Sequence, residues 1–189
     1  MDTKEPTIIV THRRTSRLTM RIAKNGDVRV SAPYRTPDRE VQAFIEQHKE
    51  WIEKARARSS EREQTRQAFY AQLSLKTRAE WADARARLDA IVRPIVESYA
   101  PAMGVQPATI YYRATVSRWG CCYTNRRAIC LSLYLLLLPT WCIEHVVVHE
   151  LAHLLVPNHG PRFYAIMDSH FPRWREARAE TRRLARMDK

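Results

Sequence analysis

Five consecutive residues, His149-Glu150-Leu151-Ala152-His153, constrain this chain more than any other stretch. Histidines four positions apart lie on one face of an α-helix, about 40° apart around its axis and roughly 6 Å along it, so both imidazoles can reach one ion. Glu150 lies on the neighbouring side of the same turn, where its carboxylate can reach a water on that ion. Two imidazole ligands and a carboxylate base therefore predict a metal site on a helix.

A third ligand follows the motif directly. Turn-forming prolines on both sides predict a helix over residues 141–156. Because Val156 precedes a proline and is turned away from helical angles, the chain must bend back, and His159 reaches the site from outside the helix. Three protein ligands leave one position for water, which distinguishes a catalytic zinc from a closed structural one. Asp168 or Glu176 stays open as an alternative third ligand.

Composition limits the kinds of partner. A net charge of +12 on a chain that is 45% hydrophobic indicates a globular protein with a basic surface, which favours acidic partners such as nucleic acid or nucleotides. The four cysteines form no C-x-x-C pair and the polar N-terminus shows no secretory signal, so we expect the reducing cytoplasm. The longest uncharged run, residues 128–143, is shorter than the roughly 20 apolar residues that cross a bilayer, so no membrane association is expected.

The N-terminal half is predicted to hold short strands followed by long helices. The strands have β-branched or alternating residues and lie at 7–10, 18–22 and 28–31. Asn25-Gly26 predicts a hairpin turn between the last two. An apolar stripe from Val41 to Ile52 predicts one helix that begins at Thr36-Pro37. Residues 59–76 are polar and predict an exposed helix or a hinge, and a further helix is predicted over 77–99.

The C-terminal half is predicted to place the metal motif beside a small sheet. Strands are expected at 109–112 and 128–133, with a structured loop or bulge at 117–122. Two helices, at 162–170 and 172–187, follow the motif helix. This pattern predicts a hairpin-plus-helix region over 1–58, a helical connector over 59–100 and a catalytic core over 101–189.

Several motifs stand in a fixed order along nearly the whole chain. They are Arg13, Arg14 and Arg17 before a hairpin, Val28-Arg29-Val30 before Pro33, Trp51-Ile52, Ser117-Arg118-Trp119-Gly120 with Cys122, and His149-Glu150-Leu151-Ala152-His153 with Asn158-His159 and Phe163. Together they resemble the YgjP-like family of zinc metallopeptidases and, more loosely, SprT-like proteases.

The resemblance implies an α+β fold with a zincin-like metallopeptidase core, in which the motif helix packs beneath a small sheet, joined to an N-terminal β-hairpin region and long helices. It also implies three zinc ligands, which are His149, His153 and His159. Glu150 is then the general base. Cys121 and Tyr164 depart from the serine and tryptophan usual in the family, and they are expected to alter the cleft wall without touching the ligands. Members of this family are also described as nucleoside triphosphate pyrophosphatases.

Metal-assisted hydrolysis of a peptide is the reaction that these residues favour, with Glu150 accepting a proton from the attacking water. The residues expected to contact the substrate are Arg118, Trp119, Gly120 and Tyr164. Donors to the developing oxyanion are expected among Arg118, Tyr123, Tyr164 and His170. The segment 117–119 could pair with an extended peptide. His145, one helical turn before the motif, is expected to pack or to donate a hydrogen bond behind the ligands.

Two other functions stay open. The same metal could direct water at a nucleoside triphosphate, with the excess arginine balancing the charge of the phosphates. Alternatively, the motif helix could be structural and the basic faces a nucleic-acid binding module, which would show salt-sensitive binding.

Overall fold

The computed structural model describes residues 7–23 and 25–185. The chain divides into two compact units, one up to Thr65 and one from Arg66 onward. Each unit combines a small sheet with helices, so the predicted α+β class is confirmed. The finer division at residues 58 and 100 stays a prediction.

The first unit is built on a three-stranded sheet in the order β1-β3-β2. Its strands are β1 (Ile8–Arg13), β2 (Thr19–Ile22) and β3 (Val28–Pro33). β2 and β3 form the predicted antiparallel hairpin, and Gly26 in the connecting turn has a φ of 85°, which favours glycine. β1 pairs in parallel with the central strand β3.

Two helices follow the sheet, α1 (Asp38–Gln47) and α2 (Lys49–Ala71), and α2 belongs to the first unit as far as Thr65. The prediction of a single helix through Ile52 is wrong, because the chain leaves the helical path at His48, with φ −105° and ψ 14°. The His48 ring donates from Nδ1 to the Phe44 carbonyl over 2.8 Å. The apolar stripe still reaches one core, which also contains alternate residues of β3. The polar segment after residue 59 is helix as far as Ala71.

The second unit begins its own fold with α3 (Arg78–Ala102), whose N-terminus is closed by a capping box between Thr77 and Glu80. Its sheet has the order β4-β6-β5. The strands are β4 (Thr109–Arg113), β5 (Gly120–Tyr123) and β6 (Ala128–Ser132). β5 runs antiparallel to β6 and forms an edge of this sheet. The prediction of a loop over 117–122 is therefore wrong from Gly120 onward.

Three more helices follow, α4 (Thr140–His153), α5 (Pro161–His170) and α6 (Trp174–Ala185). α4 ends three residues before its predicted end, because the turn that the proline after Val156 requires begins already at Leu154, whose amide bonds to the Leu151 carbonyl at 3.0 Å. The predicted end of α6, residue 187, lies outside the described residues.

α4 is the central element of the larger core. Val147, Val148 and Leu151 are all fully buried, and the helix packs against α3, α5, α6 and β5. Burial stabilises the fold by roughly 1.5–3 kcal/mol for each such side chain, so the motif sits on a rigid support. Among the helices of the described residues, none is both long and apolar enough to cross a membrane.

Candidate metal centre

Three imidazoles meet at the C-terminal end of α4. The Nε2 atom of His153 lies 3.2 Å from that of His149 and 3.1 Å from that of His159, and the third side of the triangle is 3.1 Å. Within the described residues, this is the group of three histidine, cysteine or carboxylate donors that lie close enough to share an ion. The structure thus brings the three predicted ligands together.

The orientation of His153 is fixed from behind. Its Nδ1 atom lies 3.1 Å from the carbonyl oxygen of Val156, in the turn that follows α4. Because a carbonyl can only accept, Nδ1 carries the proton and Nε2 presents a lone pair to the centre of the triangle. The turn that delivers His159 therefore also sets the tautomer of His153.

Phe163, on the first turn of α5, supports all three rings. Its ring centroid lies 4.9 Å from that of His149, 4.6 Å from that of His153 and 4.8 Å from that of His159. The side chain is fully buried. The ligands consequently pack on a fixed aromatic surface.

The triangle fits a metal ion. A tetrahedral zinc bound at about 2.0–2.1 Å holds its nitrogen ligands about 3.3–3.4 Å apart, close to the observed separations. Burial, with a smaller contribution from the neighbouring histidines, lowers the pKa of His149 to about 3. Burial also lowers the pKa of His153. Both rings are then neutral near pH 7, which is the form that binds metal.

Glu150 points into the same region and has an unsatisfied oxygen. The residue is 5% exposed and its Oε2 atom has no hydrogen-bond partner among the described residues. Burial raises the pKa of Glu150 to about 8, against the opposing charge of Arg118. A divalent cation on the three histidines would favour the ionised carboxylate. A buried carboxyl group without a partner among the described residues, beside three converging imidazoles, fits a divalent-ion site.

Gly120 makes room for that carboxyl group. A Cβ atom at this position would lie 2.5 Å from Glu150 Oε1 and 2.7 Å from its Cγ, well inside van der Waals contact. Gly120 opens β5, so the edge strand and the base meet without an intervening side chain. The Ser-Arg-Trp-Gly motif and the histidine motif are thereby joined in space.

A cleft of about 350 Å³ opens beside the triangle. It is lined by His149, His159 and Glu150, together with residues from β5 and its approach, the N-terminal half of α4, α5 and α6. Three of the predicted substrate contacts lie in this lining, which are Trp119, Gly120 and Tyr164.

Arg118 is exposed and absent from the cleft lining, and it lines with Tyr123 a neighbouring hollow that shares Trp119 and Gly120 with the cleft. Its contact with substrate stays a prediction. His170 is also absent from the cleft lining. Of the four predicted oxyanion donors, Tyr164 is the one that lines the cleft. Its ring stacks on Trp174 at 5.1 Å, and its centroid lies 6.5 Å from that of the His159 ring.

The residues predicted as alternative third ligands lie away from the three histidines. Asp168 accepts hydrogen bonds from Trp174 Nε1 and Arg175, and Glu176 pairs with Arg173, so neither carboxylate joins the triangle. Cys121 lines the second hollow rather than the cleft, because alternate residues of β5 face opposite sides of the sheet.

His145 is buried and also lines the cleft. Neither of its ring nitrogens has a hydrogen-bond partner among the described residues, which leaves packing as its structural role. Its ring lies 5.9 Å from that of His149 and 6.2 Å from that of Phe171. Burial and then the charge of Arg178 lower its pKa to about 4.

The sequence reasoning missed the contribution of α6. Trp174, Arg178 and Arg182 all line the cleft, although they follow the motif by more than 20 residues. The signal was their spacing of four, which places them on one helix face. Only the packing of α6 against α4 shows that this face points to the metal centre.

A helix with paired histidines and a buried glutamate packs beneath an edge strand, and a histidine from the next turn completes a candidate metal centre. Residues 16–78 and 70–184 match the family described as YgjP-like, metallopeptidase domain. The chain belongs to the YgjP-like family, as its motifs predict. Membership supports a metal-dependent hydrolase of the metallopeptidase class.

The chain is also similar to one solved structure, the metallopeptidase zymogen of Pyrococcus abyssi abylysin. The two are 22% identical, the likeness covers 49% of this chain and 92% of that chain, and the TM-score is 0.45. The comparison with curated proteins found no match.

Proposed function

We propose that this protein is a zinc-dependent peptidase, with zinc held by His149, His153 and His159. The observation that carries the proposal is the triangle of Nε2 atoms 3.1–3.2 Å apart, beside a buried glutamate in an open cleft. Zinc would act as a Lewis acid there, polarising a substrate carbonyl and lowering the pKa of water towards about 7.

Glu150 is the general base in this proposal. Its unpartnered Oε2 atom is free to accept a proton from the attacking water. The same carboxyl group can then deliver that proton to the leaving amine. Gly120 leaves the space that this carboxyl group occupies, because a Cβ atom at position 120 would lie 2.5 Å from Glu150 Oε1.

β5 supplies a surface for an extended substrate. It is an edge strand, and within the described residues no strand pairs with its outer side. A peptide lying antiparallel or parallel to this edge would form main-chain hydrogen bonds next to Glu150. Tyr164 lines the same cleft, and in this proposal its hydroxyl donates to the developing oxyanion.

Cleavage of unfolded casein by the zinc-loaded protein tests the proposal. Glu150→Gln should lower kcat by about 10²–10⁴-fold, because the amide cannot accept the proton. The variant should keep its zinc content, since Glu150 is not a ligand. No casein cleavage by a protein with one zinc per chain would reject the peptidase.

A nucleoside triphosphate pyrophosphatase is a second candidate. Arg178 and Arg182 in the cleft lining favour it, since guanidinium groups bind phosphate. Pyrophosphate release from a nucleoside triphosphate panel, lost in Glu150→Gln and without casein cleavage, would select this activity.

A further inference from the structure

The α6 wall of the cleft carries two cations without carboxylate partners. Arg178 and Arg182 both line the cleft, one helical turn apart. Among the described residues, neither forms an ion pair, whereas three nearby arginines do. Those pairs are Arg173 with Glu176, Arg175 with Asp168 and Arg183 with Glu180. Among the arginines of residues 173–183, the two without an ion pair are thus the two that line the cleft.

The lining of the cleft includes an unsatisfied polar ring. His145 is 6% exposed, and neither ring nitrogen has a hydrogen-bond partner within the part of the chain that the structure describes. A buried polar group without a partner costs free energy that a bound ligand can recover. His145 lies one turn before His149 on α4, so this unsatisfied ring is directly adjacent to the metal ligands.

Basic residues outnumber acidic ones in the described lining of the cleft. Glu150 is the single acidic residue in its described lining, and its carboxyl group is assigned to the reaction. The Thr181 hydroxyl donates its proton to the Ala177 carbonyl over 2.8 Å, so this proton is not available to a ligand in the cleft. An anionic group would therefore meet two guanidinium groups and one imidazole, with no repelling carboxylate in the described lining beyond the base.

Two aromatic rings form part of the cleft wall. Tyr164 and Trp174 are stacked at 5.1 Å with an interplanar angle of 17°, and both line the cleft. Trp174 is held by its Nε1–H donating to Asp168 and by the Arg175 guanidinium over its ring. These two rings can pack against the methylene groups of a substrate side chain whose charged end reaches the arginines.

We propose that Arg178, Arg182 and His145 form a carboxylate-binding subsite, so that the enzyme prefers peptides with glutamate or aspartate beside the scissile bond. The inference rests on the proposed peptidase function and names its substrate class. The carboxylate would accept hydrogen bonds from the guanidinium groups and from one ring nitrogen of His145. A peptide paired with the β5 edge would direct one side chain into the cleft, where the single subsite would bind its carboxylate.

Matched peptides test the subsite. A quenched fluorescent peptide is prepared with glutamate, glutamine or lysine at each position around the scissile bond. The zinc-loaded wild type is compared with Arg178→Gln/Arg182→Gln, and Arg183→Gln is the control because it removes a charge from the same helix outside the cleft. We expect the wild type to cleave one glutamate peptide with about tenfold higher kcat/KM than its glutamine counterpart. The double variant should lose this ratio, and the control should keep it.

A binding arm separates the subsite from the peptidase activity. The same peptides are titrated by fluorescence anisotropy into zinc-loaded Glu150→Gln protein, with and without the two arginine substitutions. Tighter binding of glutamate, lost with the arginines, supports the subsite even if no peptide is cleaved. Equal cleavage and equal binding of glutamate and glutamine peptides would overturn the subsite while leaving the peptidase intact. Loss of pyrophosphate release in the double variant, with no glutamate preference in either arm, would also overturn it.

Discussion

Glu150 and Gly120 illustrate how a single contact determines the geometry of the proposed base. The two residues are 30 positions apart, and a Cβ on Gly120 would lie 2.5 Å from Glu150 Oε1. The backbone of Gly120 does not require glycine through its torsion angles, since its φ is not positive. The requirement is therefore for space beside the carboxyl group.

Gly120→Ala should displace that carboxyl group and lower kcat by roughly 10²-fold, because a small misplacement of a reacting group is costly. Zinc content should not change. Gly160→Ala is the matched control, since no atom lies within 4 Å of the point that its added methyl group would occupy and its φ of −92° suits any residue. Steady-state kinetics and zinc analysis of both variants check this. Full activity in Gly120→Ala would show that Glu150 is not held by this contact.

At this scale, the proximity of the three histidines and Glu150 could be predicted because their geometry is local. Helical spacing fixes His149, Glu150 and His153, and the proline after Val156 brings back His159. The contact between Gly120 and Glu150 depends on how β5 packs on α4, which no spacing along the sequence reveals.

α5 supports the triangle through Phe163, which contacts all three histidine rings. Phe163→Leu should weaken zinc affinity by about 10–100-fold, as loss of a group that orients ligands does elsewhere. Phe69→Leu is the control, because Phe69 packs against the same core away from the triangle. Zinc affinity is measured by competition with a chelator. Equal losses in both variants would indicate general destabilisation rather than support of the ligands.

Helices α3 and α4 are joined by a hydrogen bond from the Tyr99 hydroxyl to Glu144 Oε1 at 2.7 Å. Burial, and then this bond, raise the pKa of Tyr99 to about 12. In the unfolded chain the tyrosine pKa is about 10, so the bond stabilises the fold fully below pH 10 and less as pH rises towards 12.

Tyr99→Phe should therefore lower the free energy of unfolding by about 1 kcal/mol at pH 8. The difference from wild type should shrink between pH 10 and 12. Urea titrations at several pH values check this, with Tyr111→Phe as the control because that ring is 44% exposed. A difference that stays constant through pH 12 would contradict the assigned role of the bond.

Element types followed well from periodicity, whereas boundaries and strand partners did not. The hairpin at Gly26 and the capping box at Thr77 are local signals, and both predicted elements are present. The break at His48 interrupts an apolar stripe that continues across it, so periodicity could not reveal it. β5 escaped prediction because it has only four residues and opens with glycine, a residue depleted in strands.

The residues of the proposed metal centre all belong to one of the two compact units, the one from Arg66 onward. A ligand that binds only the folded form stabilises it by RT ln(1 + [L]/Kd), about 2.7 kcal/mol at a hundredfold excess over Kd. Zinc should therefore slow amide exchange in α4 and β6. Exchange in the β1–β3 sheet should change little, because the triangle lies outside that unit. Hydrogen exchange with and without zinc checks this, and equal protection of both sheets would contradict it.

Metal content per chain, measured together with casein cleavage, tests the central claim most directly. Wild-type protein purified without chelators is compared with His159→Ala and Glu150→Gln. We predict about one zinc per chain in wild type and Glu150→Gln, a clear loss of zinc in His159→Ala, and casein cleavage by wild type only. Wild-type protein that holds no metal and takes up none on titration would contradict the account.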